Sequence, residues 1–421
     1  MFKFFRDETN RNFIRLWWAQ LVSQFGDRIH QMALIGLIAE RAPGSALGLA
    51  KLLAFTIIPV FIVGPLAGVY VDRWDRRRIL FVCDIARGAL VLTIPYAFLS
   101  QSSMLPIYAV VFLVFCFSRF YVPAKMSIIP DLVTHDNLLI ANSLLTTTGM
   151  IAFVLGCALG GFLVDHFGAR GGFIIDGLTF FLSALLIISI RRDLAVAIKK
   201  DEIIKQSKAL LQAEKSVFLE IKEGFLYLKG HPEIRFIINM FFLLLSAAGA
   251  IYVVIIVFIQ QAFQSGVKDL GVLAVALGVG LFCGTLLYGR WGKRFIWYKT
   301  IFCCLILGGI LIIVFASVVN SYPNLLTALL LSFSLGLILG PIFIASNTVI
   351  HLVSDESMRG KVFTALEIVI HFAFLAAMLV SSILAEFISA FWILIGVGGI
   401  FGFLGIYGYR VYKNGSAQNN R

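Results

Sequence analysis

GVYVDRWDRRR, residues 68–78, lies between two long apolar runs of this 421-residue chain. The stretch holds Asp72, Asp75, Arg73, Arg76, Arg77 and Arg78. Its surroundings are the opposite in character. The chain is 60% hydrophobic and 14% charged, with 39 Phe, whereas a soluble domain is about 25% charged. No soluble fold of this length hides so much apolar surface. A helix needs roughly 20 apolar residues to cross a hydrocarbon layer of about 30 Å. Runs of that size recur along the whole chain, so the fold class is an all-α membrane protein.

Twelve spans are predicted, near 13–39, 46–71, 79–99, 105–125, 138–164, 171–190, 234–262, 269–288, 298–319, 324–348, 361–385 and 389–410. The charged stretch then joins spans two and three. Of the 35 Lys and Arg, 28 fall on the side that carries both termini, with Lys125 counted at the end of span four. Only Arg41, Lys51, Arg170 and Lys268 fall on the other side, while Arg28, Arg87 and Arg119 lie within spans. By the positive-inside rule both termini are cytoplasmic. The net charge of +12 then belongs to loops held on an anionic leaflet and calls for no nucleic acid. The first residues, MFKFFRDETNRN, lack the apolar stretch of a cleavable signal, so the first helix is expected to be retained. The six cysteines all lie in apolar runs and form no C-x-x-C pair, which fits small core residues better than metal or redox chemistry.

The longest polar stretch, 191–233, divides the spans six and six. The expected organisation is an N-terminal six-helix bundle (1–190), a cytoplasmic linker (191–233), and a C-terminal bundle with a short cytoplasmic tail (234–421). Within the linker Phe218, Ile221, Phe225 and Leu228 recur three or four residues apart. That spacing predicts an amphipathic helix along the membrane surface, with Ser216 as its cap. The halves repeat weakly. GVYVDRWDRRR aligns with GTLLYGRWGKR (284–294), and LVTHDNL (132–138) with LVSDESM (352–358). Paired six-helix repeats with a substrate site between them are a common build for secondary transporters.

Gly68, Asp72, Arg73, Arg76 and Arg77 resemble the G-x-x-x-D-R/K-x-G-R-R/K signature of the major facilitator superfamily, in the loop where that signature occurs. Asp75 stands in place of its second Gly. Within the superfamily the chain is similar to the efflux branch of macrolide and enterobactin-type exporters, through SQFGDRIHQMAL (23–34), FYVPAKMSIIPDLV (120–133) and EGFLYLKGHPEIR (223–235). The resemblance implies two pseudo-symmetric bundles, alternating access and residence in the bacterial inner membrane. It also implies that Asp72 meets the start of span eleven, near Met358–Val362, as a cytoplasmic latch. A carboxylate there gains from the helix dipole. AFVLGCALGG (152–161) resembles the G-x-x-x-G-P-x-x-G-G motif of proton-coupled exporters; Gly156, Gly160 and Gly161 match, while Ala152 and Cys157 depart from it.

Span one is unusual for a membrane helix. Gln20, Ser23, Gln24, Asp27, Arg28, His30 and Gln31 share an arc of about 160° at 100° per residue. Such a face belongs against protein or a wetted cavity. Asp27, near mid-depth, and His30, one turn on, are the candidates for proton coupling, with Gln24, Arg28 and Gln31 beside them for substrate contact. Asp27 and Arg28 point about 100° apart and make a poor pair. Asp84 and Arg87, three apart in span three, are expected to pair and to support Arg76 or Arg77. Arg119 and Glu367 are expected to join the same cytoplasmic gate. Asp176 of span six carries no specific expectation beyond lining a cavity.

These features point to a secondary transporter that exports an amphipathic or apolar small molecule against protons. Its expected partners are that substrate, protons and the bilayer, with the chain acting as a monomer and needing no cofactor or resident metal. Two other transporter readings remain open: a lysophospholipid flippase, and a divalent-metal exporter using Asp27, His30 and His371. An enzyme reading lacks a nucleophile elbow, a phosphate loop and H-E-x-x-H.

Overall fold

The computed structural model describes residues 2–71, 73–98, 103–190, 232–264, 267–292, 297–353 and 359–418. Among them the regular structure is entirely helical. The chain divides into two compact units, residues 1–37 with 52–222, and residues 38–51 with 223–421.

Span one is the helix Arg11–Arg41, of which residues 11–37 belong to the first unit. Span two is two helices, Ala46–Ile62 and Gly64–Val71. Span three, Arg76–Thr93, begins where Asp75 accepts hydrogen bonds from the Arg77 and Arg78 amides at 3.0 and 3.2 Å. That cap satisfies two of the amides that a helix start leaves open, worth about 1 kcal/mol. Asp75, which departs from the family signature, therefore sets where the helix begins. Span three ends in a π turn, Ile94–Phe98.

Span four runs from Leu105 to Leu132, two turns beyond the predicted end. Lys125 accordingly lies within the helix and is buried, instead of closing the span at the membrane surface. Pro123 and Pro130 sit inside this helix without ending it. Spans five and six are the limbs of one run, Leu138–Ile188, which is broken at Gly168 (φ +69°). That left-handed backbone suits a residue without a Cβ.

Nine stretches among the described residues are long and apolar enough to cross a membrane. Three of the twelve predicted spans are not distinguished on that basis. The Gly168 break lies inside a single long stretch. Span two is divided into shorter pieces. Span one carries the polar residues of its arc.

The interior of the first unit joins Leu16, Leu80, Ile128, Leu144 and Ile187 from spans one, three, four, five and six. Its exterior is apolar too: Leu105, Leu139, Leu155, Leu159 and Phe162 are exposed. Apolar side chains on both faces suit a hydrocarbon solvent.

In the second unit, close helix packing rests on glycines. Gly280 and Gly284 of helix Lys268–Trp291 lie against the backbone of Phe333 and Leu337. Gly336 and Gly340 of helix Leu325–Val353 lie in turn against Leu277 and Leu281. Two small-x-x-x-small pairs thus face one another, which lets helix backbones approach directly. Gly309 and Gly398 join the helices Trp297–Ser321 and Ala390–Gln418 in the same way. Residues 38–51 group with this unit, where Ser45 Oγ and the Leu47 amide donate to Glu386 Oε1 at 3.3 and 3.4 Å.

Candidate functional site

Two polar clusters occupy the first unit. The inner one starts from the polar arc of span one, which turns inward: Gln20, Ser23 and His30 are buried, and Gln24, Asp27, Arg28 and Gln31 are half-buried. His30 Nδ1 lies 2.9 Å from Asp176 Oδ2 of span six, with side-chain exposures of 5% and 0%. The imidazole meets the Phe173 ring edge-on, centroids 5.5 Å apart, with Phe115 at 6.3 Å. The charge of Asp27 interacts with Arg87, Asp176, Arg28 and His30. Arg28 donates to Gln31 Oε1 at 3.1 Å and sits 5.1 Å from the centre of the Phe153 ring.

Asp84 and Arg87 form a buried ion pair along span three. Ser183 Oγ of span six donates to Asp84 Oδ2 at 2.6 Å. The Arg87 guanidinium lies between the rings of Tyr121 and Phe180, 4.3 Å from each centre. A desolvated cation between two aromatic faces gains about 2 kcal/mol or more per favourable contact. A buried guanidinium needs such company, because removing a charge from water costs several kcal/mol.

The outer cluster is built from the charged stretch. Arg76 Nη1 donates to Asp131 Oδ2 at 2.6 Å and to the Ser127 carbonyl at 3.0 Å, both on span four. Arg77 donates through Nε to the Ile187 carbonyl at 3.2 Å and through Nη2 to the Ile188 carbonyl. Arg15 donates to the Ser189 carbonyl. Two guanidiniums thus gather at the carbonyls that end span six, where the helix carries partial negative charge; the Ile187 carbonyl also accepts from the Ile190 amide at 3.1 Å.

The predicted residues therefore separate. Asp27, His30, Asp84 and Arg87 come together in the inner cluster. Asp84 and Arg87 pair as predicted, but through Ser183, Tyr121 and Phe180; Arg76 and Arg77 are held instead by Asp131 and by span six. Arg73 Nη1 is buried without a hydrogen-bond partner among the described residues. Gly68 lies in the helix Gly64–Val71. Asp72, the predicted amphipathic helix of the linker, Lys293 and Arg294 at the end of the first second-half repeat copy, and residues 354–358 of the second lie outside the described residues. Arg119 is half-buried on span four. Glu367 is exposed, and its carbonyl accepts from His371 Nδ1 at 2.8 Å. Gly156, Gly160 and Gly161 are buried on span five. A Cβ on Gly156 would stand 2.9 Å from the Arg28 side chain, and one on Gly160 would stand 3.1 Å from Ile29 Cα. These glycines therefore bring span five against span one beside the polar arc. Among the described residues no three His, Cys, Asp or Glu are grouped as metal ligands.

Sequence reading missed Asp131, Ser183 and the pairing of Asp176. Asp176, Phe180 and Ser183 recur at helical spacing, which marks one face of span six and was the available signal.

Comparison with known proteins decides the family. The profile described as the Major Facilitator Superfamily matches residues 16–298 and 237–420. The chain belongs to the major facilitator superfamily. Its relatives in that superfamily include YkuC, an MFS-type transporter of Bacillus subtilis (strain 168), 26% identical over 361 residues, covering 84% of this chain and 80% of YkuC. YfiS of the same organism is 30% identical over 215 residues, 51% of this chain and 48% of YfiS, so that match spans about half of each. Macrolide efflux protein A of Streptococcus pyogenes is 27% identical over 294 residues, 67% of each chain.

Solved superfamily-like folds superpose over nearly the full length. A bacterial homologue of the iron transporter ferroportin gives a TM-score of 0.72 at 14% identity, covering 94% of this chain and 98% of that one. A bacterial homologue of the human lysosomal transporter Spinster gives 0.71 at 14% identity, covering 96% of each. At such identities the likeness establishes the fold. This major facilitator protein is an integral membrane protein whose relatives are transporters.

Proposed function

We propose that the protein exports an amphipathic or apolar small molecule in exchange for protons, by alternating access in a bacterial inner membrane with both termini cytoplasmic. The observation that carries this reading is the inner cluster. Half-buried Asp27 and buried His30 of span one interact with buried Asp176 of span six, and Asp27 also with buried Arg87 of span three. Ionisable groups at membrane depth are too costly to retain as filler and mark ion or substrate pathways. Asp27 is the primary proton carrier, with Gln24, Arg28 and Gln31 offering polar contacts to substrate. The outer cluster, with Gly68, Asp72 and Arg73, forms the cytoplasmic gate, and Arg119 and Glu367 contribute charge to it. Similarity to macrolide efflux protein A supports export of a drug-like cargo.

The test uses proteoliposomes under an imposed pH gradient, with labelled erythromycin, enterobactin or lysophosphatidylcholine as cargo. Gradient-driven movement of one of them by the wild type, lost in Asp27→Asn while exchange without a gradient persists, supports the reading. Transport of every cargo indifferent to the gradient overturns it.

A further inference from the structure

We propose that His30 and Asp176 form a second buried proton-binding site, distinct from the Asp27 carboxyl, that joins spans one and six when loaded. The proposal rests on the proton-coupled reading above and adds a residue, Asp176, to its machinery. Nδ1 of His30 faces Oδ2 of Asp176 at 2.9 Å, and neither side chain is appreciably exposed. His30 Nε2 and Asp176 Oδ1 lie beyond this ion-pair contact, and among the described residues none of the four polar atoms of the pair, Nδ1 and Oδ2 included, has a hydrogen-bond partner. Each buried polar atom left open is costly. A fixed structural pair would be expected to have both ends closed, whereas a pair that takes up and passes on a proton needs an open atom at each end.

The packing places the pair deliberately close. A Cβ on Gly26 would stand 2.7 Å from Asp176 Oδ1, and a Cβ on Gly172 would stand 2.8 Å from the Ala33 Cβ. Glycines on both helices thus bring span one and span six together around His30. Phe115 and Phe173 border the imidazole and keep the setting apolar. Asp27 on span one is the charged group that interacts with both members of the pair; Arg28 on span one and Arg87 on span three act on Asp27 in turn, and Asp84 is the partner of Arg87. Lys125 on span four acts on Asp27 and Arg87. Span five meets span one through Gly156 and Gly160.

The proton balance is simple. Loaded, the site is an imidazolium against a carboxylate, a strong attraction where the dielectric is low. When the proton leaves from Nε2, a neutral imidazole remains beside a carboxylate, and the two helices lose most of that attraction. Movement that wets the pair releases the proton, and reclosure requires one to return.

The experiment measures thermal unfolding of the full-length protein in detergent between about pH 5 and pH 8, the range in which imidazole changes charge. It compares wild type, His30→Gln, Asp176→Asn and the double variant. We expect a pH-dependent component of the melting temperature in the wild type. Each single variant and the double variant should lose the same component, without additivity. A variant that only weakens packing would move the whole curve in parallel. Should Asp176→Asn fail to fold, Asp176→Glu and His30→Gln carry the test: the first should retain the component and the second should lose it. A parallel shift, additive losses, or a wild type without the component would overturn the proposal. Loss of the component in the variants of a protein that moves no cargo under a gradient would uphold the site and sink the export reading. Gradient-driven export alongside an unchanged component in Asp176→Asn would do the reverse.

Discussion

Arg77 Nε lies 3.2 Å from the carbonyl oxygen of Ile187, which ties the start of span three to the end of span six. A second branch of the same guanidinium reaches the Ile188 carbonyl. The planar fork of arginine suits two adjacent acceptors, whereas a lysine ammonium supplies one point of contact. Hydrogen bonds that involve a charged group contribute about 1.5–3 kcal/mol each when well sheltered, and the outer end of this one is exposed. Arg77→Gln is therefore expected to cost about 1–2 kcal/mol, with Arg77→Lys in between. Chemical denaturation of the purified protein in detergent checks the order. A lysine variant as stable as wild type would show that only charge matters at this position.

Asp84 and Arg87 predict a sharper effect. Both are buried, and Ser183 closes the remaining carboxylate oxygen at 2.6 Å. Removing one member leaves the other as an uncompensated charge, at about 3–5 kcal/mol. Asp84→Asn and Arg87→Gln should each lower the yield of folded protein in size-exclusion profiles. The double variant Asp84→Asn with Arg87→Met removes both charges and should recover part of that loss, since an apolar chain can still lie between Tyr121 and Phe180. A double variant no better than the worse single would refute the pairing as the source of the cost.

Much of this was legible in the chain because the membrane simplifies the physics. Apolar runs of spanning length located the helices, and Lys and Arg counts suggested their orientation. The polar arc of span one places Asp27 and His30 on one face of the helix, and that face is legible from spacing alone. Three features were hidden. Lys125 read as a helix end because it is basic, yet the helix runs on to Leu132, since burial of a long aliphatic stem is compatible with a span interior. Asp131 read as a loop residue, although its bond to Arg76 comes from two helices crossing, which spacing alone cannot report. The partnership of His30 with Asp176 joins residues 146 positions apart through Gly26 and Gly172. Only the packing of two helices decides it. Asp84 and Arg87, by contrast, were readable because they sit three apart on one helix.

Asp75 offers a test of local structure independent of the charge clusters. Its carboxylate accepts from the amides of Arg77 and Arg78 and lies 3.5 Å from the Arg78 Nε. Arg78 is 72% exposed, so the ion pair adds little, and the cap carries the effect. Asp75→Ala should cost about 1 kcal/mol, Asp75→Asn or Asp75→Ser much less. The family signature has Gly at this position, so Asp75→Gly should be milder than Asp75→Ala, by a few tenths of a kcal/mol against the full amount. Denaturant midpoints of the four variants give the ranking, and equal losses for Ala and Asn would mean that the cap is not what Asp75 provides.

The glycines of span five separate packing from polar function. A Cβ at Gly160 would meet Ile29 Cα at 3.1 Å and the Arg28 carbonyl at 3.2 Å. Those atoms are backbone, so relief requires the two helices to move apart. At Gly156 a Cβ would stand 2.9 Å from the Arg28 Cβ, which the backbone holds so that the helices must shift here too, and 2.9 Å from Cγ, which swings with the side chain. Swinging it breaks the bond to Gln31 and the approach to the Phe153 ring. Overpacking typically costs about 1–3 kcal/mol. Gly160→Ala is therefore expected within that range, with transport reduced in proportion to folded protein. Gly156→Ala should cost a similar amount in stability and should in addition alter cargo affinity, because it displaces a polar side chain of the span-one arc. Melting curves paired with transport per folded molecule distinguish the two. If Gly156→Ala lowers stability as much as Gly160→Ala while leaving transport per molecule untouched, Arg28 is a packing residue and has no part in the site.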